Sequence, residues 1–131
     1  MSDERCDFET AVKMVAATEV RPDLILPLIA PSDNERKIRT HTGMRTSPSV
    51  RRFQSDVDLC LGSRALPPPP LVLVFRCYFT RLNRDPQNCQ KALVDALYIQ
   101  DKHVLPWALP ARRDKNKPRT EIWFVRIAEE E

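Results

Sequence analysis

The chain has 131 residues, a net charge of +3 and an apolar share of 42%, which suits one domain with one core. No apolar run reaches the roughly 18–20 residues needed to span a bilayer, and the acidic opening "MSDERCDFET" lacks the apolar core of a secretory signal. The expectation is a cytoplasmic protein with no membrane partner. Cys6, Cys60, Cys77 and Cys89 form no C-x-x-C pair, and His41 and His103 fit no zinc spacing. The cysteines are therefore read as reduced thiols, three of them in the core. Nothing favours a Cys-His nucleophile or a small-molecule cofactor.

The modest net charge conceals an asymmetry. Residues 1–23 hold six acids against three bases, and the chain ends on three glutamates. The +3 of the whole chain therefore leaves residues 24–128 at +9, the electrostatics of a domain that meets polyanions. The expected organisation is an acidic extension over 1–23, helical or partly disordered, a domain over 24–128 and an acidic tail over 129–131.

In chain order, "CDFETAVKMVAATEV" (6–20) spaces Phe8, Val12, Val15 and Ala16 near a helical period. A short strand is expected over 24–28, then a loop holding Pro31 and Asn34. Residues 36–52 carry Arg36, Lys37, Arg39, Arg45, Arg51 and Arg52 without one acid, with Gly43 central to a potential hairpin. These cations repel one another unless a polyanion relieves them; the simpler alternative is a solvated basic loop.

Ser47-Pro48 suits a helix start. Val50, Phe53, Val57, Cys60 and Leu61 follow as one apolar stripe, with Gly62 placed to end the helix. Arg51 and Arg52 fall off that stripe. "PPPP" (67–70) is a stiff connection into "LVLVFRCYF" (71–79), whose near-continuous apolar run predicts a central strand covered on both faces. Cys89, Ala92, Leu93, Ala96 and Leu97 predict a helix packed on a sheet. "HVLPWAL" reads as a strand that Pro106 holds to an edge. "ARRDKNKPR" is a second basic loop, with Arg112, Arg113, Lys115, Lys117 and Arg119 against Asp114, and "TEIWFVRI" (120–127) is a closing strand. The whole predicts an α+β fold: a small mixed β-sheet with two main helices packed on it.

"RDPQNCQKALVDALYIQD" (84–101) holds the choice that bears on function. In the simpler reading, Asp85 before Pro86 caps a helix and Lys91 pairs with Asp95 on its exposed face. In the other, Asp85 stands at a helix mouth just past a buried strand, and a turn back towards the sheet brings Asp101 near it. Carboxylates hold Mg²⁺ through hard oxygens, the metal activates water, and flanking cations hold phosphates.

Five segments in order resemble a RusA-type Holliday junction resolvase. "LILPLIAPSDNERK" resembles that family's opening strand and Pro-Pro-Ser-x-Asn turn, and "GMRTSPSVRRFQ" the approach to its first helix. "RDPQNCQKALVDAL" resembles the signature Asp-x-Asp-Asn-x-x-Lys-x-x-x-Asp-Ala-Leu. "IQDKHV" is similar to the downstream Asp-Asp-x-x-Val element, and "KPRTEIWFVRI" to the closing Pro-Arg-x-Glu strand. The match covers about residues 24–127, and the central motif is the specific one.

The resemblance implies a homodimeric endonuclease that resolves four-way DNA junctions in recombination and repair. It implies Mg²⁺, or alternatively Mn²⁺, held by Asp85 and Asp101 with Gln87 assisting, and Lys91 acting on the phosphate. Arg36, Lys37, Arg39, Arg45, Arg51 and Arg52, with Arg112, Arg113, Lys115 and Lys117, would hold branched DNA. The chain departs from the pattern in three places: Gln87 stands at the motif's second Asp, the late Asp pair is Gln100-Asp101, and the intervening segment is short and lacks its glycine. An amide offers a metal an oxygen but no charge, so the alternative is a relative that binds branched DNA without cutting it. A further alternative makes the basic surface a contact for an acidic protein.

Overall fold

The computed structural model describes residues 15–32, 37–40, 43–46, 48–82, 84–98 and 103–126. The chain is α+β, with a mixed five-stranded sheet and helices packed on it. Its strands are β1 (Leu24–Leu26), β4 (Leu71–Phe79), β5 (Val104–Ala108), β6 (Arg112–Arg113) and β7 (Arg119–Arg126), in the order β1-β7-β4-β5 with β6 also on β4. A separate hairpin joins β2 (Lys37–Thr40) to β3 (Gly43–Thr46), as expected of this stretch, but Gly43 opens β3 opposite Thr40 and is not the centre between the strands. The two main helices are α1 (Pro48–Leu61) and α2 (Gln90–Tyr98), the latter preceded by a 3₁₀ turn over Pro86–Cys89.

β4 is central, as its apolar run predicted, with β7 antiparallel on one side and β5 parallel on the other. Leu71, Leu73, Phe75, Cys77 and Phe79 point to the main core, with Phe53 and Val57 of α1 and Ala92, Leu93 and Leu97 of α2. The alternate residues Val72 and Val74 join Trp123 and Val125 of β7 in a second cluster, on which Ala17, Leu105 and Leu109 pack. Period-2 alternation thus feeds two apolar layers because both faces are covered. Part of the second cover comes from the N-terminal side. Residues 15–18 are helical, the Trp123 indole donates to the Val20 carbonyl at 3.0 Å, and Phe124 N–H donates to the Asp23 carboxylate at 2.8 Å. The expected helix over 6–20 stops at residue 18, because the Glu19 and Val20 N–H groups close turns on the Ala16 and Ala17 carbonyls; residues 6–14 lie outside the described residues.

Local chemistry sets several features, some of which match expectation and some of which do not. β1 stops at Leu26, because Pro27 has no N–H to offer the ladder. α1 ends at Leu61, and Gly62 follows at φ +56°, with its N–H closing the last turn on the Asp58 carbonyl at 3.0 Å. A side chain there would meet nothing within 4 Å, so backbone conformation and not space selects glycine. Cys60 is exposed and not in the core: three residues beyond Val57, it is turned about 60° off that line. Cys77 and Cys89 are buried as expected, and Cys6 and Ser47 lie outside the described residues. β5 does take an edge, with Pro106 opposite Leu73. The second basic loop is more ordered than a solvated loop: Arg112 and Arg113 pair with Tyr78 and Phe79, resuming the edge that β5 left at Ala108. Among the described residues no helix is long and apolar enough to cross a membrane.

Candidate nucleic-acid interface

Strand directions place the charged segments. β5 and β6 run parallel to β4, and β1 is parallel to it through their common antiparallel neighbour β7. The C-terminal ends of β1, β4 and β6 therefore meet the start of β7 at one edge of the sheet. Crevices beyond the carboxyl ends of strands are where ligands gather in open sheets with helical crossovers. At this edge lie the 27–32 loop, the connection from Thr80 to Asp85, and the basic segment Arg112–Lys117.

The cations here are not equivalent. Arg119 is neutralised: it donates to Asp114 at 2.7 Å and to Glu121 at 3.2 Å, and its guanidinium lies 3.7 Å from the Tyr78 ring centroid. Asp114 also accepts N–H bonds from Asn116 and Lys117, so one carboxylate folds the loop and orients it. The Arg119 hydrogen bond, ahead of the backbone bonds, holds the Asp114 carboxyl below its ordinary value. Arg112, Arg113, Lys115 and Lys117 are left on the exposed surface of that loop.

Sequence reasoning passed over Arg81 and Arg84, both exposed in the connection after β4. Arg84 is anchored: it donates to the Ala30 carbonyl at 3.2 Å and to the Cys89 sulfur at 3.6 Å, with its guanidinium 5.3 Å from the Phe79 ring centroid. With Arg52 of α1 it lines a pocket of about 250 Å³. The position of Arg81 and Arg84 next to the end of the buried strand β4 was the available signal. Arg51 and Arg52 are exposed on α1. Lys37, Arg39 and Arg45 lie on the hairpin strands, whose side chains are outside the described residues, as is Arg36.

Asp85 does what the simpler reading expects. Its carboxylate accepts the Gln87 N–H at 2.9 Å, capping the 3₁₀ turn that leads into α2, and the Gln87 side chain is exposed. Lys91 pairs with Asp95 at 3.8 Å, with side-chain exposures of 53% and 11%. Asp101 lies outside the described residues. Its nearest described neighbours stand at the other end of β4: His103 O accepts the Leu71 N–H at 3.1 Å and the Tyr98 hydroxyl donates to Pro67 O at 2.7 Å. Leu71 and Phe79 are eight residues apart along β4, roughly 26 Å at strand rise.

Around Asp85 the described residues provide one carboxylate, half engaged as a cap, and two neutral amides, Gln87 and Asn88. Mg²⁺ is ordinarily held by one or two carboxylates with substrate phosphates and water. This part of the site does not by itself fit a divalent ion without the substrate. Among the described residues no three His, Cys, Asp or Glu side chains converge.

No family model and no curated protein matches the chain. The fold defines the class, a small α+β protein with a mixed sheet, and the charged edge defines the candidate site.

Proposed function

We propose that this chain binds nucleic acid through the phosphate backbone, using the edge at the end of β4, and that branched DNA is its preferred form. The observation that carries the reading is the parallel pairing of β6 with β4, which puts Arg112 and Arg113 beside the strand end from which Arg81, Arg84 and Asp85 emerge. Exposed arginines and lysines there gain by displacing counterions from a polyanion. The preference for branched DNA comes from the resemblance to RusA-type resolvases, as does an assembly of two copies, which matches the two-fold relation of exchanging strands.

Binding without hydrolysis fits this site better than cleavage. Gln87 occupies the position of a motif carboxylate, Asp85 is already a helix cap, and Lys91 has Asp95 as partner.

The test measures affinity for a four-way junction and a linear duplex in Ca²⁺ over a range of salt, then strand scission in Mg²⁺ and Mn²⁺. Junction preference with a steep loss of affinity as salt rises is expected, without scission by the native chain. Gln87→Asp, which restores a carboxylate beside Asp85, is the variant in which cutting is expected. Native cleavage abolished by Asp85→Asn would instead make the chain a junction endonuclease. Salt-insensitive binding, or none to any DNA, removes the proposal and leaves an acidic protein as the partner to seek.

A further inference from the structure

The pocket beside Arg84 has an ordered chemistry. Along α1, Ser49, Arg52, Phe53 and Asp56 line it at positions i, i+3, i+4 and i+7, one helical face about 10 Å long. A hydroxyl, a cation, an aromatic ring and a carboxylate therefore follow one another along a single wall. The opposite side is apolar chain after β1, including Leu28, and Arg84 completes the lining. Phe53 is buried, with its ring part of the main core. Arg84 is already held by Ala30 and Cys89, so little side-chain freedom remains to be lost when it meets an anion. Among the described residues neither Arg52 nor Asp56 is in an ion pair.

A bare phosphate would suit the two guanidiniums but not Asp56. A purely apolar ligand would leave all three charges unanswered. A ligand that answers all three charges carries both an anionic group and N–H donors. A nucleotide has that form, and single-stranded bases are held by stacking on aromatic or arginine planes with hydrogen bonds to their exposed edge. A carboxylate only accepts, which favours guanine, because N1–H and the 2-amino group present two parallel donors.

We infer that this pocket receives one unpaired nucleotide, preferring guanine, with its phosphate at Arg52 and Arg84 and its base edge at Asp56. The inference rests on the nucleic-acid reading above and deepens it: the basic edge holds the backbone, and the pocket accepts a base freed from pairing, as at the centre of a branch.

The experiment is an amide ¹H–¹⁵N titration of the full chain with dGMP, dAMP, dCMP, dTMP and inorganic phosphate at low salt. We expect dGMP to shift the amides of residues 28–30, 49–56 and 84 at millimolar concentration, more tightly than the other nucleotides, with inorganic phosphate weakest. Arg52→Gln, at an exposed position, should weaken all four nucleotides about tenfold, the scale of one charge-assisted hydrogen bond. Asp56→Asn should abolish the guanine preference while leaving the native spectrum intact. No shifts at these amides with dGMP, or a guanine preference undiminished in Asp56→Asn, overturns the inference. Four-way junction binding is measured on the same samples. Junction binding without nucleotide shifts sinks the pocket alone, whereas nucleotide shifts without binding to any DNA sink the backbone reading alone.

Discussion

The Asp85 carboxylate accepts the backbone N–H of Gln87 at 2.9 Å, and that bond opens the turn leading into α2. Removing a cap of this kind costs about 1 kcal/mol, whereas Asn caps nearly as well as Asp. Asp85→Ala should therefore lower the urea midpoint measurably and Asp85→Asn hardly at all. Equal destabilisation by both would show that charge, not the capping bond, is what the position supplies.

Asp114 and Arg119 give the basic loop a pH dependence of known sign. The carboxyl is held below its ordinary 3.8, first by the Arg119 hydrogen bond and then by the Lys117 N–H. A depressed folded-state value contributes stability that is present above the unfolded value and lost as pH falls through the folded one. The Asp114 side-chain titration, followed by carbon-detected NMR, should move up towards 3.8 in Arg119→Gln. Loop order over residues 114–117 should loosen in the same variant. An unmoved midpoint would mean that the backbone donors alone set the value.

The cysteines should separate by reactivity. Cys60 is exposed, while Cys77 and Cys89 are buried. Burial, ahead of the neighbouring Cys89, pushes the Cys77 thiol up to about 12, and only the thiolate is nucleophilic. Iodoacetamide on the native protein at mild alkaline pH should modify Cys60 quickly, and Cys77 and Cys89 only after denaturant is added. The raised value also implies that stability falls as pH climbs from 9.0 towards about 12, since the unfolded chain gives up that proton first. Rapid native labelling of Cys77, read by peptide mass, would contradict the packing of β4.

Trp123 ties the N-terminal segment to the sheet through its bond to Val20. Trp123→Phe removes the donor, leaves that carbonyl without its indole partner and shrinks a residue only 2% exposed. A cost of about 1–3 kcal/mol is expected, with hydrogen exchange rising over residues 15–20 while β4 stays protected. Uniform exchange across the sheet would instead make residue 123 a determinant of the whole core.

Elements were legible in the sequence wherever composition and period agreed. The β4 run, the α2 stripe, the Gly62 stop and the edge character imposed by Pro106 all follow from local chemistry, and each has its counterpart in the fold. Cys60 departs because a stripe of fixed spacing still turns with the helix. β6 was hidden in a loop of charged residues, since two residues make a strand only when β4 lies alongside. The pocket was hidden more thoroughly: Leu28, Arg52 and Arg84 come from three distant segments. The expected meeting of Asp85 with Asp101 turns on a segment outside the described residues.

By itself the sequence determined where the long strand β4 and the two main helices lie, most of their apolar faces, and that the cations are concentrated in the middle of the chain. Those properties depend on neighbours a few residues apart. Only the tertiary structure decided that β1, β5 and β6 run parallel to β4, so that Arg84, Asp85 and the Arg112–Lys117 loop gather at one edge. Parallel pairing joins residues some thirty positions apart through a crossover helix. Its partner and direction are set by the burial of two whole faces at once, which the local pattern of side chains does not encode.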